Sequence, residues 1–163
     1  MATVRKGVRT QGTKVWIEHG DAAAPILTQM DCITSISVGD DSVNDIDDTC
    51  LEETDVKTSQ PGLTTPGDGE IVIKTDPLNA SHMTILQLAE NREPVKVYIG
   101  WSDGTTAPTL NATQVTLPTT RTFSSFDAIL RASSPTFEPD SLVEHKVTLK
   151  RQSKVTTIVK TTA

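Results

Sequence analysis

Apolar and polar residues alternate through most of the chain, the period-2 signature of half-buried β-strands. Residues 13–19 open the series, with Val15 and Ile17 on one face and Trp16 on the other. Residues 30–38 alternate through Ile36 and Val38 until Gly39 ends the run, and residues 70–75 place Ile71 and Ile73 inward. Residues 95–101 form the cleanest strand. Val95, Val97, Ile99 and Trp101 fall on one side, and Lys96, Tyr98 and Gly100 on the other. Residues 113–117, 122–131 and 142–150 follow, the last two with buried faces marked by Phe126, Ala128, Leu130 and by Val143, Val147, Leu149. The last ten residues extend the final strand or trail off.

One segment changes period. Ile85, Leu86, Leu88 and Ala89 make a helical stripe through about residue 90. Asp76 is placed to cap it, Pro77 suits its first turn and Pro94 lies just past its end. Another segment, residues 40–69, shows no periodicity at all, few apolar positions and two Pro-Gly pairs. A connection of about 30 residues is uncommon in a compact domain, and such segments serve function or order on a partner. Residues 105–112, rich in Thr, Pro and Ala, read as a surface loop. There is no internal repeat, and the 163 residues suit a single domain.

Composition supports sheet. Thr accounts for 26 residues, with Val and Ile plentiful, so the chain is expected to be mainly β. The net charge of −6 matters less than its placement. Residues 1–14 hold Arg5, Lys6, Arg9 and Lys14 and no acid. Residues 15–56 hold 11 acids and no Lys or Arg, and eight of those acids lie in residues 40–56. Residues 142–163 swing back, with five cations against Glu144. No stretch reaches the ~18 apolar residues that a membrane helix needs, and the first residues lack the apolar core of a secretory signal. With only Cys32 and Cys50 and no export signal, reduced thiols are expected.

Catalytic and metal signatures are missing. His19, His82 and His145 stand apart from one another and from the cysteines, so no zinc spacing arises. No Gly-x-Ser-x-Gly elbow or phosphate-binding glycine cluster occurs. An EF-hand register starting at Asp41 puts Glu52 twelfth but Val43 at the third position and Ile46 where glycine is required. The basic ends carry no interleaved aromatics, unlike a nucleic-acid-binding surface. A protein without catalytic residues, cofactor or metal is expected. Basic ends and an acidic middle on one chain suit head-to-tail contact between copies, which generates rings or open filaments.

The order of several short motifs then points to a family. Asp47-Asp48-Thr49-Cys50-Leu51-Glu52 is followed by Pro61-Gly62-Leu63 and by Pro66-Gly67-Asp68-Gly69-Glu70-Ile71-Val72-Ile73. Asp76-Pro77, His82, the Trp101-Ser102-Asp103-Gly104 turn and Val147-Thr148-Leu149 come after them. In this order the chain resembles the tail tube, or major tail, proteins of long-tailed siphovirus-type phages. The resemblance implies a β-sandwich or barrel-like domain, residues 1–163, flanked by one helix. It also implies an N-terminal arm, residues 1–12, a long acidic inter-strand loop, residues 40–68, and no C-terminal immunoglobulin-like domain. Both arm and loop are expected to be mobile in the monomer and ordered in a tube.

In that family six copies form a ring, rings stack into a hollow tube, and DNA passes down the lumen during ejection without specific binding. The implied partners are further copies of the chain, a tape measure protein, a tail terminator and distal tail or baseplate proteins, with no membrane. The implied location is the virion tail, assembled in the host cytoplasm. Arg5, Lys6 and Arg9 are candidates to meet Asp45, Asp47, Asp48, Glu52 or Glu53 of an adjacent ring. Glu70 and Asp127 are candidates for a lumen wall of net negative potential. A terminator, a distal ring or a head decoration protein is the alternative.

Overall fold

The computed structural model describes residues 7–132 and 134–161. In chain order the elements are β1 (Lys14–Asp21), β2 (Ala24–Met30), β3 (Ile33–Ser37), β4 (Ser42–Asp47), β5 (Ser59–Thr65), β6 (Asp68–Lys74) and α1 (Ala80–Asn91). There follow β7 (Pro94–Gly100), β8 (Thr109–Asn111), β9 (Gln114–Thr116), β10 (Phe123–Ala132), β11 (Glu144–Arg151) and β12 (Thr156–Ile158). The main sheet is antiparallel throughout, in the order β2-β1-β7-β10-β11-β6-β3, with β12 also on β10. Hairpins β4-β5 and β8-β9 stand outside it.

The sheet coils without closing. Its two edge strands, β2 and β3, are joined end to end through Asp31 and Cys32, so one bent run borders both edges. The long β10 is the opposite seam, taking β12 along residues 123–125 and β11 along residues 128–132. Between them Gln152 donates its amide to the Asp127 carbonyl at 2.8 Å, which keeps the bulged β11–β12 run on its partner.

One sheet face is the core. Val15 and Ile17, Val95, Val97 and Ile99, Phe126, Ala128 and Leu130, Val147 and Leu149, and Ile71 and Ile73 all point into it, as their alternation predicts. Each fully buried Ile or Leu stabilises the fold by about 1.5–3 kcal/mol. α1 supplies Ile85, Leu88 and Ala89 to the same cluster. On the other face Trp16, Tyr98 and Phe123 pack with Leu27 under Val115 and Leu117, which come from the β8-β9 hairpin and the residues after it.

The corner between β2 and β3 is pinned by the helix. His82, 1 % exposed, donates from Nε2 to the Asp31 carbonyl at 2.7 Å, and its Nδ1 accepts the Asp76 amide at 3.2 Å. Ser81 Oγ accepts the Asp31 amide at 3.2 Å. The cap of α1 is Asn79, whose side chain accepts from the Ser81 amide, whereas Asp76 closes a tight turn onto the Leu78 amide. The expected cap is thus three residues early, because Asp76 is drawn into the turn that follows β6.

Three further readings change, the first at residues 105–112, expected as a surface loop, which hold β8. Residues 30–38 are not one strand: the run breaks at Asp31-Cys32, where Cys32 takes φ 52°, and residues 24–30 form a strand of their own. The aperiodic residues 40–69 hold a β-hairpin rather than an unstructured loop. β4 and β5 pair only with each other and are exposed almost throughout, so they carry no inward face and no alternation.

Candidate assembly surfaces

The β4-β5 hairpin is an arm on a narrow neck. At the neck the two backbone crossings are so close that a Cβ on Gly67 would stand 2.1 Å from the Asp40 carbonyl oxygen. A Cβ on Gly39, at φ +70°, would stand 2.2 Å from that of Asp68. Only glycine fits. Beside the neck Arg151, at the end of β11, is 3 % exposed and bonds the Gly39 carbonyl at 3.2 Å and the Asp41 carboxylate. Asp41 Oδ1 also accepts the Gly67 amide at 3.3 Å, so one carboxylate ties both chains of the neck to the body.

This ion pair gives the arm root a pH dependence. Its bond to Arg151, with help from the Gly67 amide, holds the Asp41 carboxyl below its ordinary value. A depressed carboxylate contributes above its unfolded pKa, about 3.9, and its contribution is lost as pH falls through the lower folded value. The root is therefore expected to stay anchored down to about pH 4 and to loosen below it. Asp41→Ala should reproduce the loosening at neutral pH as several-fold faster amide exchange at Gly67. Unchanged exchange there would show that the carboxylate does not hold the neck.

The arm tip, residues 48–58, has its own polar frame. Asp47 Oδ1 accepts the Thr49 amide at 2.9 Å, and Asp48 Oδ2 accepts from Gln60 at 2.7 Å. Thr49 Oγ1 bridges the Thr58 carbonyl and amide at 3.1 and 2.9 Å. These bonds hold the Asp47 and Asp48 carboxyls below their usual range. Asp45 lies on β4 opposite Pro61, and Glu53 accepts the Asp55 amide at 3.3 Å. Of the acids expected to reach a neighbour, Asp47 and Asp48 thus also shape the tip. Val43, Ile46, Leu51, Val56 and Leu63 are all exposed on the arm, Leu51 completely.

Arg5 and Lys6 lie outside the described residues. Arg9 is exposed on a segment that Ser102 Oγ ties down by donating to the Arg9 carbonyl. A second buried arginine organises this region. Arg121, 1 % exposed, donates to the carbonyls of Gly12, Gly100, Trp101 and Thr106 at 3.0, 2.9, 2.6 and 3.3 Å. Its guanidinium lies 5.3 Å from the Trp16 ring centroid and 5.7 Å from that of Phe123. Burial lowers its pKa while nearby Asp103 opposes the shift. Asp103 in turn accepts from Thr122, and Lys160 donates to the Asp103 carbonyl at 3.1 Å. Nothing in the sequence pattern marks Arg121 or Arg151, since the carbonyls that Arg121 reaches and the Gly39 carbonyl and Asp41 carboxylate that Arg151 reaches lie elsewhere in the chain.

Residues 8–13 form one wall of an open cleft of about 900 Å³, and residues 33–38 form the facing wall. Residues 8–13, with Arg9, and β3, which runs up to the arm root, therefore border the same cleft. The arm tip lies roughly 30 Å from the neck for an extended run of about ten residues.

Glu70 and Asp127 share the sheet face that turns away from the helix. Across the strands Asp127 stands beside Lys96, which stands beside Glu18, and Glu70 stands in register with Thr148 and Arg131. Lys150 pairs with Asp68 at 3.1 Å, and Lys74 pairs with Glu144. The charges on this face alternate in sign. Cys32 and Cys50 are both exposed thiols. Among the described residues no three His, Cys, Asp or Glu side chains gather to hold a metal, and no helix is long and apolar enough to cross a membrane.

Comparison with known proteins places these surfaces in context. Residues 6–161 match the family described as "Phage tail tube, TTP, lambda-like". "Structural protein 3" of Pseudomonas phage PAJU2 is 30 % identical over 161 residues, 96 % of either chain. The fold is similar to the SPP1 tail tube, with TM-score 0.64 and 11 % identity, covering 93 % of this chain and 78 % of that one. It is also similar to the sheath/tube terminator of the extracellular contractile injection system PVC, with TM-score 0.64 and 12 % identity over 96 % of this chain and all of the other. The tube-terminating cap of the anti-feeding prophage gives 0.63 and 17 %, over 98 % and 95 %. The chain belongs to the lambda-like phage tail tube family and is a structural subunit of the virion tail.

Proposed function

We propose that copies of this chain assemble into six-membered rings that stack into a hollow tube, the conduit through which DNA leaves during ejection. The observation that carries this is the arm: a hairpin whose strands pair only with each other, with five exposed apolar side chains on a body of the tail tube fold. Apolar side chains gathered on a projecting hairpin mark a surface for another molecule to cover. The subunit acts by contact alone, without a catalytic residue, and is assembled in the bacterial cytoplasm. A tape measure protein, a terminator and distal tail or baseplate proteins meet the tube along or at its ends. The sheet face with Glu70 and Asp127 is the lumen wall in this reading. Its alternating charges offer phosphate no continuous cationic track, so DNA slides without a binding site.

Negative-stain microscopy of the concentrated protein tests this. Long tubes of constant width with six-fold end views are expected. Closed single rings that never polymerise would favour a terminator-type role, which the similarity of fold to terminators makes the proper rival. Reversing Asp47 and Asp48 together to lysine should weaken tubes strongly, through lost charge and through a disordered tip. Tubes of normal yield from that variant would remove both acids from the stacking contact.

A further inference from the structure

α1 is joined to the corner of the sheet through one titratable ring, and the contacts of that ring admit one charge state. We propose that His82 is an acid-labile lock. Neutral, it holds the corner between β2 and β3 against α1; protonated, it lets that corner go.

The partners of the two ring nitrogens fix the tautomer. Nε2 lies 2.7 Å from the Asp31 carbonyl oxygen, which only accepts, so Nε2 carries a proton. Nδ1 lies 3.2 Å from the Asp76 amide nitrogen, which only donates, so Nδ1 is bare. An imidazolium carries a proton on both. The second proton would meet the Asp76 N–H, donor against donor. The residue is 1 % exposed, so water does not reach in to relieve that clash. The ring also sits in the first turn of α1, where the helix dipole opposes a cation.

The charged groups around the ring are engaged elsewhere. α1 packs against β10 and β2, and β2 has no charged side chain. On β10, Asp127 alternates with the core residues Phe126 and Ala128 and so takes the other face of the sheet. Arg131 lines a cleft with Glu90 and Arg92, at the opposite end of the helix. Asp76 turns its carboxylate onto the Leu78 amide at 2.9 Å. Asp31 meets the ring through its carbonyl, and Cys32 beside it is an exposed thiol. At the end of β6, Lys74 pairs with Glu144, and Thr75 Oγ1 is bonded to His145 Nδ1.

Loss of the Nδ1 bond frees the turn after β6, and the corner is freed with it. Apart from the ring, the corner's tie to the helix is the Asp31 amide on Ser81 Oγ, next to His82 in the chain. Since β2 and β3 border the sheet and meet at Asp31-Cys32, one ring governs how both borders are held. Imidazole side chains change charge between about pH 5 and 8. The carboxylate anchor at the arm root holds down to about pH 4, so the two acid responses separate.

Hydrogen–deuterium exchange of the intact chain, read by mass spectrometry at about pH 7.5 and about pH 5.5, tests the lock. Rates are referred to those of the unfolded chain at the same pH. Peptides spanning residues 28–34 and 74–82 should lose several-fold of their protection at the lower pH, while residues 66–70 at the arm root keep theirs. In His82→Gln, whose amide still donates toward the Asp31 carbonyl and does not titrate, protection should be equal at both pH values. Unchanged protection of the parent chain at the lower pH overturns the lock, a result that needs no variant. An equal loss in His82→Gln overturns it as well and assigns the response to His19 or His145.

Discussion

Arg121→Ala is expected to be the most damaging single substitution in the body of the protein. The side chain donates to four carbonyls from three separate stretches of chain, and it fills the space beside Trp16 and Phe123. Truncation removes a donor from each of those carbonyls, opens a void against two aromatic rings and leaves Lys160 as the charge beside Asp103. Breaking a buried charged network of this kind costs about 3–5 kcal/mol. Against a total stability of ~5–15 kcal/mol that is a large share. A Tm roughly 10 °C lower follows for a chain of this size. Residues 9–13 should exchange their amides quickly even below that temperature, since the Gly12 bond is lost. Arg121→Lys should recover only part of the loss, because an ammonium cannot present the planar fork that reaches several carbonyls at once. A Tm within a degree or two of the parent would show that packing alone holds this region.

Excision of the arm should have the opposite profile: fold kept, assembly lost. Replacing residues 42–65 by an Asn-Gly turn keeps Asp41 with its bond to Arg151 and its bond from the Gly67 amide, and it removes strands that pair only with each other. No core side chain is touched, so Tm should stay within a few degrees. Tubes should be absent at every concentration tested by microscopy, because many weak arm contacts around each ring act together and all are removed at once. Tubes from the excised chain would refute an arm-mediated assembly outright. The two variants together test whether folding and assembly rest on different residues.

How much of this could be read from the sequence depends on what each residue faces. β1, β7, β10 and β11 each press one face into the core, so Val15, Val97, Phe126 and Val147 announce themselves by alternation. The arm has water on both sides, and exposure erases the period that would have revealed β4 and β5. β2 was hidden for a related reason: Pro25 and the half-exposed edge position dilute its pattern. The acids of residues 40–56 were legible as a charge cluster. Which of them fold the tip and which remain free to meet a partner is fixed by hydrogen bonds to Thr49, Thr58 and Gln60 that only the hairpin register creates. Arg121 and Arg151 escaped entirely. A buried arginine is defined by its acceptors, and here those are backbone carbonyls that any residue type supplies, joined for Arg151 by the carboxylate of Asp41, 110 residues away.

The bond from Arg121 to the Gly12 carbonyl also sets a clock. It spans 109 residues, and the bond from Lys160 to Asp103 closes the region from the far end of the chain. Residues 8–13 leave the ribosome well before Arg121, so the side chain that fixes them does not exist until about a hundred further residues have been made. At ~5–20 residues per second the delay is several seconds or more. The arm, by contrast, closes locally and early. During synthesis a nascent chain therefore completes its arm well before residues 8–13 are fixed.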